Sequence, residues 1–462
     1  MTADPDLASR QPGLQVSHSR GSAVTITFSF SSHGPASHLP NGPPTLPIIG
    51  NLHQIPKTGA HQKFTEWSKT YGGIFSLKLG PSLAVVITDR RLVKELLDKK
   101  SSIWRTFRRT MHQFFNEGVC DKQHVALKHM VHTKRTSNSI IMSLVFGVRT
   151  ESDQTPHMKE LYSVMDKWSE IMELFPESWL GNWVQRSRDV GTRMKKLYSS
   201  PQTVVLDQQD KLGLTANQLD FIGGVLMEGG SDTVSTMMLV IIQALALNPD
   251  IQKRAQAEID SVCPDSASPT WAHYAQLPYI TMIIKKAIRW RRVTPLAFPH
   301  ALSQDDIVDN KFLPAGTTVL LNVWGLHHDE ARFPNPDKFD PDRFARQTKL
   351  AAEYAASPDY DNRDHYLYGA GRRICPGIHL AEREMFLGAA KLLWGFDFAQ
   401  QRDAQGRLVP IDTDPLTGYT EGFLVCPKAF ACRVTPRSEA RAATIRREFG
   451  VAERDVLSRY RG

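Results

Sequence analysis

The chain has 462 residues, 41% hydrophobic and 23% charged, an ordinary globular balance that excludes global disorder and fibrous repeats. Lys plus Arg number 56 against 48 Asp plus Glu, a net charge of +8 that fits nucleic acid, an anionic membrane or an acidic protein partner and selects none of them. Five cysteines, with no C-x-x-C pair, exclude a disulfide framework and a zinc ribbon and favour a reducing compartment.

Residues 1–38 are rich in Ser, Gly, Pro and His and read as a divergent, poorly ordered N-terminal arm, without the charged start and apolar block of a signal peptide or anchor. Residues 39–462 read as one domain, entered through a stiff run from Leu39 to Gly50 that carries four prolines. A helical stretch (His61 to Thr70) precedes two strand-like runs, Ile74 to Leu79 and Ala84 to Thr88. Helix dominates from there. The clearest segment covers about Ala216 to Leu247 and stops at Asn248-Pro249. Gly229-Gly230-Ser231-Asp232-Thr233 lies in its middle, where each glycine costs up to about 1 kcal/mol relative to alanine. Close helix packing or a kink explains the glycines as well as a groove that something approaches.

An amphipathic helix follows from Pro278 to Arg291, then short strands near Thr317 to Asn322 and a Pro- and Asp-rich run, Phe333 to Phe344. After the stretch Tyr366 to Gly377 comes a helix from His379 to Leu393. From Arg437 onward seven arginines oppose four acids, which reads as a solvated helical tail. No run reaches the roughly 18 to 20 uninterrupted apolar residues of a spanning helix; the best, Met237 to Leu247, contains Gln243.

Tyr368-Gly369-Ala370-Gly371-Arg372-Arg373-Ile374-Cys375-Pro376-Gly377 carries the strongest chemical signal. Most lone cysteines are packing residues, but Cys375 follows two arginines and precedes a helix, a setting that favours thiolate. The glycines let backbone approach a flat ligand. A dinucleotide fingerprint fails, because it would need glycine at Ile374 and a preceding strand in a βαβ unit. Axial thiolate ligation of heme iron suits the pattern.

On these residues the sequence resembles the cytochrome P-450 heme-thiolate monooxygenases of the fungal microsomal kind. The family signature F-x-x-G-x-R-x-C-x-G is met by Gly371, Arg373, Cys375 and Gly377, with Tyr368 in place of phenylalanine. Gly229 to Thr233 is similar to the distal-helix segment, in which an acid and an alcohol (Asp232, Thr233) deliver protons to bound dioxygen. Trp104 and Arg108 match W-x-x-x-R, which contacts a heme propionate, and His300 stands where a second propionate partner is found. The resemblance implies a mainly α fold with a small β subdomain, heme b held by Cys375, O2, a small apolar substrate of secondary metabolism, and an NADPH-dependent flavoprotein reductase. It implies the endoplasmic reticulum membrane, with the cytoplasm and peripheral membrane contact as alternatives because no anchor helix is visible. No recognition motif supports nucleic acid as partner.

Two departures stand out. The family's E-x-x-R reads Lys286 and Arg289 here, and with Arg343 of the meander it would gather three like charges where the family compensates them. Arg292 also stands where proline commonly follows. The connection Ser101-Ser102-Ile103-Trp104 is short, and further joins are abrupt at Ala126 to Thr136, Leu174 to Pro176 and Ser200 to Thr203. Two readings follow: a working monooxygenase, or a degenerate, non-catalytic heme-binding relic of the same fold.

Overall fold

The structure, a computed structural model, describes residues 39–100, 133–146, 149–150, 152, 155–171, 183–198 and 215–455. Helix α1 (Ala60–Tyr71) buries Phe64 and Trp67 against strand β1 (Ile74–Leu79), whose Phe75 ring lies 6.3 Å from each of them. β2 (Ser82–Ile87) returns antiparallel with Ile74 opposite Ile87. Its alternating partners Val85 and Ile87 face one core and Ala84 and Val86 another, as a strand buried on both faces requires.

Three helices, α2 (Thr133–Phe146), α3 (Pro156–Ile171) and α4 (Trp183–Tyr198), precede the longest element, α5 (Ala216–Leu247). A capping box starts α5: Thr215 Oγ1 accepts from the Gln218 amide at 3.3 Å and Gln218 Oε1 accepts from the Thr215 amide at 2.9 Å. At about 48 Å by helical rise, α5 is long and apolar enough to cross a membrane, yet it is mostly buried within the protein. Gln243 interrupts its apolar run without cost, because its amide donates to Asp412 O at 3.0 Å and its oxygen accepts from the buried Tyr419 hydroxyl.

Helices α6 (Pro249–Val262) and α7 (Pro278–Trp290) follow, each with proline in its first turn. Strands β3 (His300–Ala301), β4 (Asp306–Val308), β5 (Lys311–Leu313) and β6 (Thr318–Leu321) come next. β6 runs parallel to β2 and antiparallel to β3, giving the sheet order β1-β2-β6-β3. Helix α8 (Ile378–Gly395), buried along most of its length, the hairpin β7 (Phe396–Gln400) with β8 (Cys432–Pro436), and α9 (Glu439–Asp455) complete the described chain. The main apolar core joins α5, α6, α7 and α8. The architecture is mainly α with small sheets, as the sequence predicts.

One expectation needs correcting. Helix α9 is not a solvated tail: Arg441, Thr444 and Ala452 are buried. Arg441 donates to Asp265 at 2.6 Å, to Asp260 at 2.9 Å and to Trp394 O at 2.8 Å. Arg437 and Arg441 dock the helix on α6 and α8, while Arg446 and Arg447 stay exposed.

Candidate active site

The loop before α8 is shaped by backbone bonds. The Cys375 amide donates to Tyr368 O at 2.8 Å, the Gly369 amide to Tyr366 O at 3.0 Å and the Ile374 amide to Gly371 O at 3.1 Å. Gly371 has φ of +65°, and a Cβ there would lie 1.7 Å from the Leu97 carbonyl oxygen. Only glycine satisfies both the left-handed backbone and that approach. Cys375 is half-buried and makes no disulfide with another described cysteine, two residues ahead of Gly377, the N-cap of α8. Arg372 and Arg373, both exposed, precede it in the loop. The Gly377 Cβ position, 3.9 Å from Cys375 Sγ, leaves ordinary contact distance. Tyr368 is buried, and burial drives its hydroxyl pKa well up.

Arg373 is exposed and close enough to His300 on β3 for its charge to depress the imidazole pKa, second to burial. The structure thus brings together two residues 73 positions apart in sequence. Trp104 and Arg108 lie outside the described residues, as do the short connection after Ser101 and the joins at 174–176 and 200–203.

On α5 the two glycines separate the alternatives left open by the sequence. A Cβ on Gly230 would sit 2.7 Å from Ile141 Cγ1 of α2, so Gly230 is a packing glycine; a Cβ on Gly229 would meet nothing within 4 Å. The helix is continuous through both glycines. One residue permits the helix crossing while its neighbour opens toward space. Thr233, one turn on, donates its hydroxyl to Gly229 O at 2.6 Å, the i−4 bond of a helical threonine.

Polar side chains bridge the α2–α5 seam. Ser137 donates to Gly230 O at 2.6 Å, Asn138 to Ser231 Oγ at 2.9 Å, and Tyr162 of α3 to Ser231 O at 3.0 Å. Asp232 is buried apart from a small face, and its Oδ1 lies 3.4 Å from Nζ of Lys134, whose side chain is 42% exposed. Glu384 of α8 is buried beside Ser137, and burial pushes its carboxyl up to about 8. Sequence reading missed Lys134, Tyr162 and Glu384. Lys134 stands 98 positions before its partner, and no local pattern announces such a pairing.

The substitution at position 286 has the predicted electrostatic consequence. Lys286 and Arg289 are fully buried on α7, and Lys286 Nζ reaches only Pro336 O, at 3.3 Å. Burial first, then Arg289 and Arg343, push the Lys286 amine down to about 6. Its neighbour Lys285 is equally buried but meets Asp364 Oδ2 at 2.7 Å. Arg292 is buried too, donating to the Arg289 and Trp290 carbonyls at 3.0 and 3.2 Å.

Heme is tested by the chemistry and shape of these parts. Among the described residues no three His, Cys, Asp or Glu side chains cluster to hold a metal ion. A single thiolate donor therefore suits a metal already chelated by a macrocycle. Gly229 and Gly369 both face open space, so neither backbone is closed off from a ligand. A cleft of about 1130 Å³, lined by Lys69, Arg90, His328 and Arg332, lies elsewhere and includes neither Cys375 nor Asp232.

Comparison with known proteins agrees. The Cytochrome P450 family model matches residues 40–136 and 183–417, and the chain belongs to that family of heme enzymes. It is 54% identical to Cytochrome P450 monooxygenase yanC of Aspergillus niger over 518 aligned positions, covering 95% of this chain and 96% of that protein. It is also 54% identical to Cytochrome P450 monooxygenase macC of Penicillium terrestre, with 91% and 94% covered, and 45% identical to Cytochrome P450 monooxygenase patH of Penicillium expansum, with 95% and 97% covered. The chain is an oxidoreductase of the monooxygenase class, and these relatives lend nothing to the reading as a relic. An alignment of 518 positions exceeds the 462 residues available here. The relative therefore has internal segments that this chain lacks, as the abrupt joins predict.

Proposed function

We propose that the chain inserts one oxygen atom from O2 into a small, mostly apolar organic substrate of fungal secondary metabolism, with Cys375 as axial ligand to heme b. The observation that carries this reading is the position of Cys375, fixed at the head of α8 by its own amide bond to Tyr368 O within an electropositive loop. When bound, heme supplies the redox and oxygen-activating chemistry, and thiolate donation favours O–O cleavage.

This chain's residues do the rest. Arg373 and His300 would hold the heme propionates by hydrogen bonds, the arginine charge-assisted; the depressed pKa of His300 makes it a neutral donor. Trp104 and Arg108 would join them in the family pattern. Gly229 faces open space that heme could use, while Gly371 and Gly377 would shape the loop that carries the thiolate. Asp232 holds a proton-transfer position inside the protein, and the partly exposed Lys134 links it to solvent. Thr233 keeps its hydroxyl oxygen available as an acceptor while its proton is committed to Gly229 O. Electrons come from an NADPH-dependent flavoprotein reductase. Substrate, O2, NADPH and a proton give hydroxylated product, water and NADP+. We place the enzyme at the endoplasmic reticulum membrane, as a microsomal type.

The test is the reduced carbonyl spectrum of the heme-loaded full chain. A red-shifted Soret band that is lost in Cys375→Ser is expected. An imidazole-type spectrum, or a band that survives in Cys375→Ser, overturns the assignment.

A further inference from the structure

The side chains of Lys286, Arg289 and Arg343 meet, and among the described residues no carboxylate hydrogen-bonds to any of them. Arg289 donates Nη1 to His327 O at 2.5 Å and Nη2 to Pro336 O, the same carbonyl that Lys286 Nζ approaches at 3.3 Å. Arg343 donates Nη2 to Pro334 O at 2.5 Å. After those bonds, Nε of Arg289 and Nε of Arg343 are buried without a hydrogen-bond partner, and Arg289 has no exposed surface.

The nearby acids are engaged elsewhere. Asp337 is mostly exposed and pairs with Arg291 at 2.9 Å and His328 at 3.7 Å. Asp340 approaches Arg343 Nε only to 3.8 Å, beyond hydrogen-bond reach. Backbone carbonyls carry no net charge, so they satisfy donors without neutralising them. Arg289, held down only to about 10, is still charged at neutral pH, and arginine cannot escape by losing its proton. A buried cation with an unmatched donor is among the costliest groups a protein contains.

We propose that the unmatched donors of Lys286, Arg289 and Arg343 bind a small free anion, a planar carboxylate of formate size. Planar guanidinium donors match a carboxylate in geometry and charge, and an anion is what this donor set lacks. A ligand that binds only the folded state stabilises it by mass action. This site is separate from the heme pocket, and its occupancy is read without turnover.

The experiment melts the full heme-loaded chain while sodium formate replaces sodium gluconate at constant ionic strength. A saturable rise of about 5 °C is expected for the native chain. Lys286→Glu supplies its own carboxylate, so it should melt higher without formate and show no rise. Arg343→Gln, at a partly exposed position, removes one donor and should lose most of the response. Coincident formate and gluconate curves for the native chain overturn the proposal. An undiminished rise in either variant does so as well.

Discussion

Lys286→Met removes a buried amine and keeps the volume of its unbranched stem, which isolates the charge at that position. The amine has an ordinary pKa of 10.5 and is pushed down to about 6 in the folded protein, by burial first and then by Arg289 and Arg343. At pH 7 the folded chain carries Lys286 mostly neutral while the unfolded chain carries it protonated. Releasing that proton costs about 5 kcal/mol. The unfolded state binds the extra proton between pH 6 and 10.5, so native stability rises with pH across that window by about 1.4 kcal/mol per pH unit. Below pH 6 both states are protonated and the penalty is constant; above 10.5 both are neutral and it vanishes. The methionine variant lacks this slope, so its advantage should shrink by about 3 kcal/mol between pH 7 and pH 9. Urea unfolding followed by tryptophan emission, in buffers whose anions are too bulky to enter the cluster, measures the difference at each pH. Parallel pH profiles for the two proteins would refute the reasoning, because they would mean that Lys286 titrates alike in both states.

Gly229 and Gly230 of α5 should respond in opposite senses. Gly230→Ala drives a methyl into Ile141 and should cost about 1 to 3 kcal/mol, whereas Gly229→Ala meets nothing and should gain up to about 1 kcal/mol of helix propensity. Thermal melts without heme rank them, and equal melting temperatures would mean that the α2–α5 crossing is not tight. With heme and substrate supplied, Gly229→Ala should lose turnover, since its methyl occupies the open face. Asp232→Asn should lower turnover by about 100-fold with an unchanged reduced carbonyl spectrum and a larger solvent deuterium isotope effect. A normal rate would remove Asp232 from proton delivery. Lys286→Glu should raise heme retention after gel filtration by restoring an anion between Arg289 and Arg343; unchanged occupancy would mean that this cluster does not support the heme-bearing loop.

What could be read from sequence follows the range of each interaction. The α5 boundaries are set locally by Thr215 with Gln218 and by Asn248-Pro249, and the loop before α8 depends on glycines within a few residues of Cys375. Both were legible. The assignment of Gly229 to open space and Gly230 to packing was not, because it depends on Ile141, 89 positions away. The same holds for Lys134 opposite Asp232 and for Glu384 beside Ser137, pairs made by helix crossings rather than by spacing. Helix α9 misled for a related reason. Its arginines look like a solvated face until Asp260 and Asp265 of a distant segment come to meet Arg441.

Lys285 and Lys286 show why residue type alone could not decide the chemistry of α7. They are adjacent, lie on the same buried helix and differ in exposure by only a few per cent. Asp364 pairs with Lys285 through a 2.7 Å bond, so that charge is neutralised where it is buried. Lys286 faces Arg289 and Arg343 with a carbonyl as its hydrogen-bond acceptor and the Phe339 ring 5.7 Å away. Removing the anion from a buried ion network costs about 3 to 5 kcal/mol, a large share of the stability of an ordinary domain. Arg292 carries a comparable cost, since its guanidinium reaches carbonyls and His328 but leaves Nε buried without a partner. At the Lys286 cluster, Lys286 can shed a proton and the two arginines cannot. Deprotonation of Lys286 leaves both guanidinium charges in place, and only an added anion neutralises them.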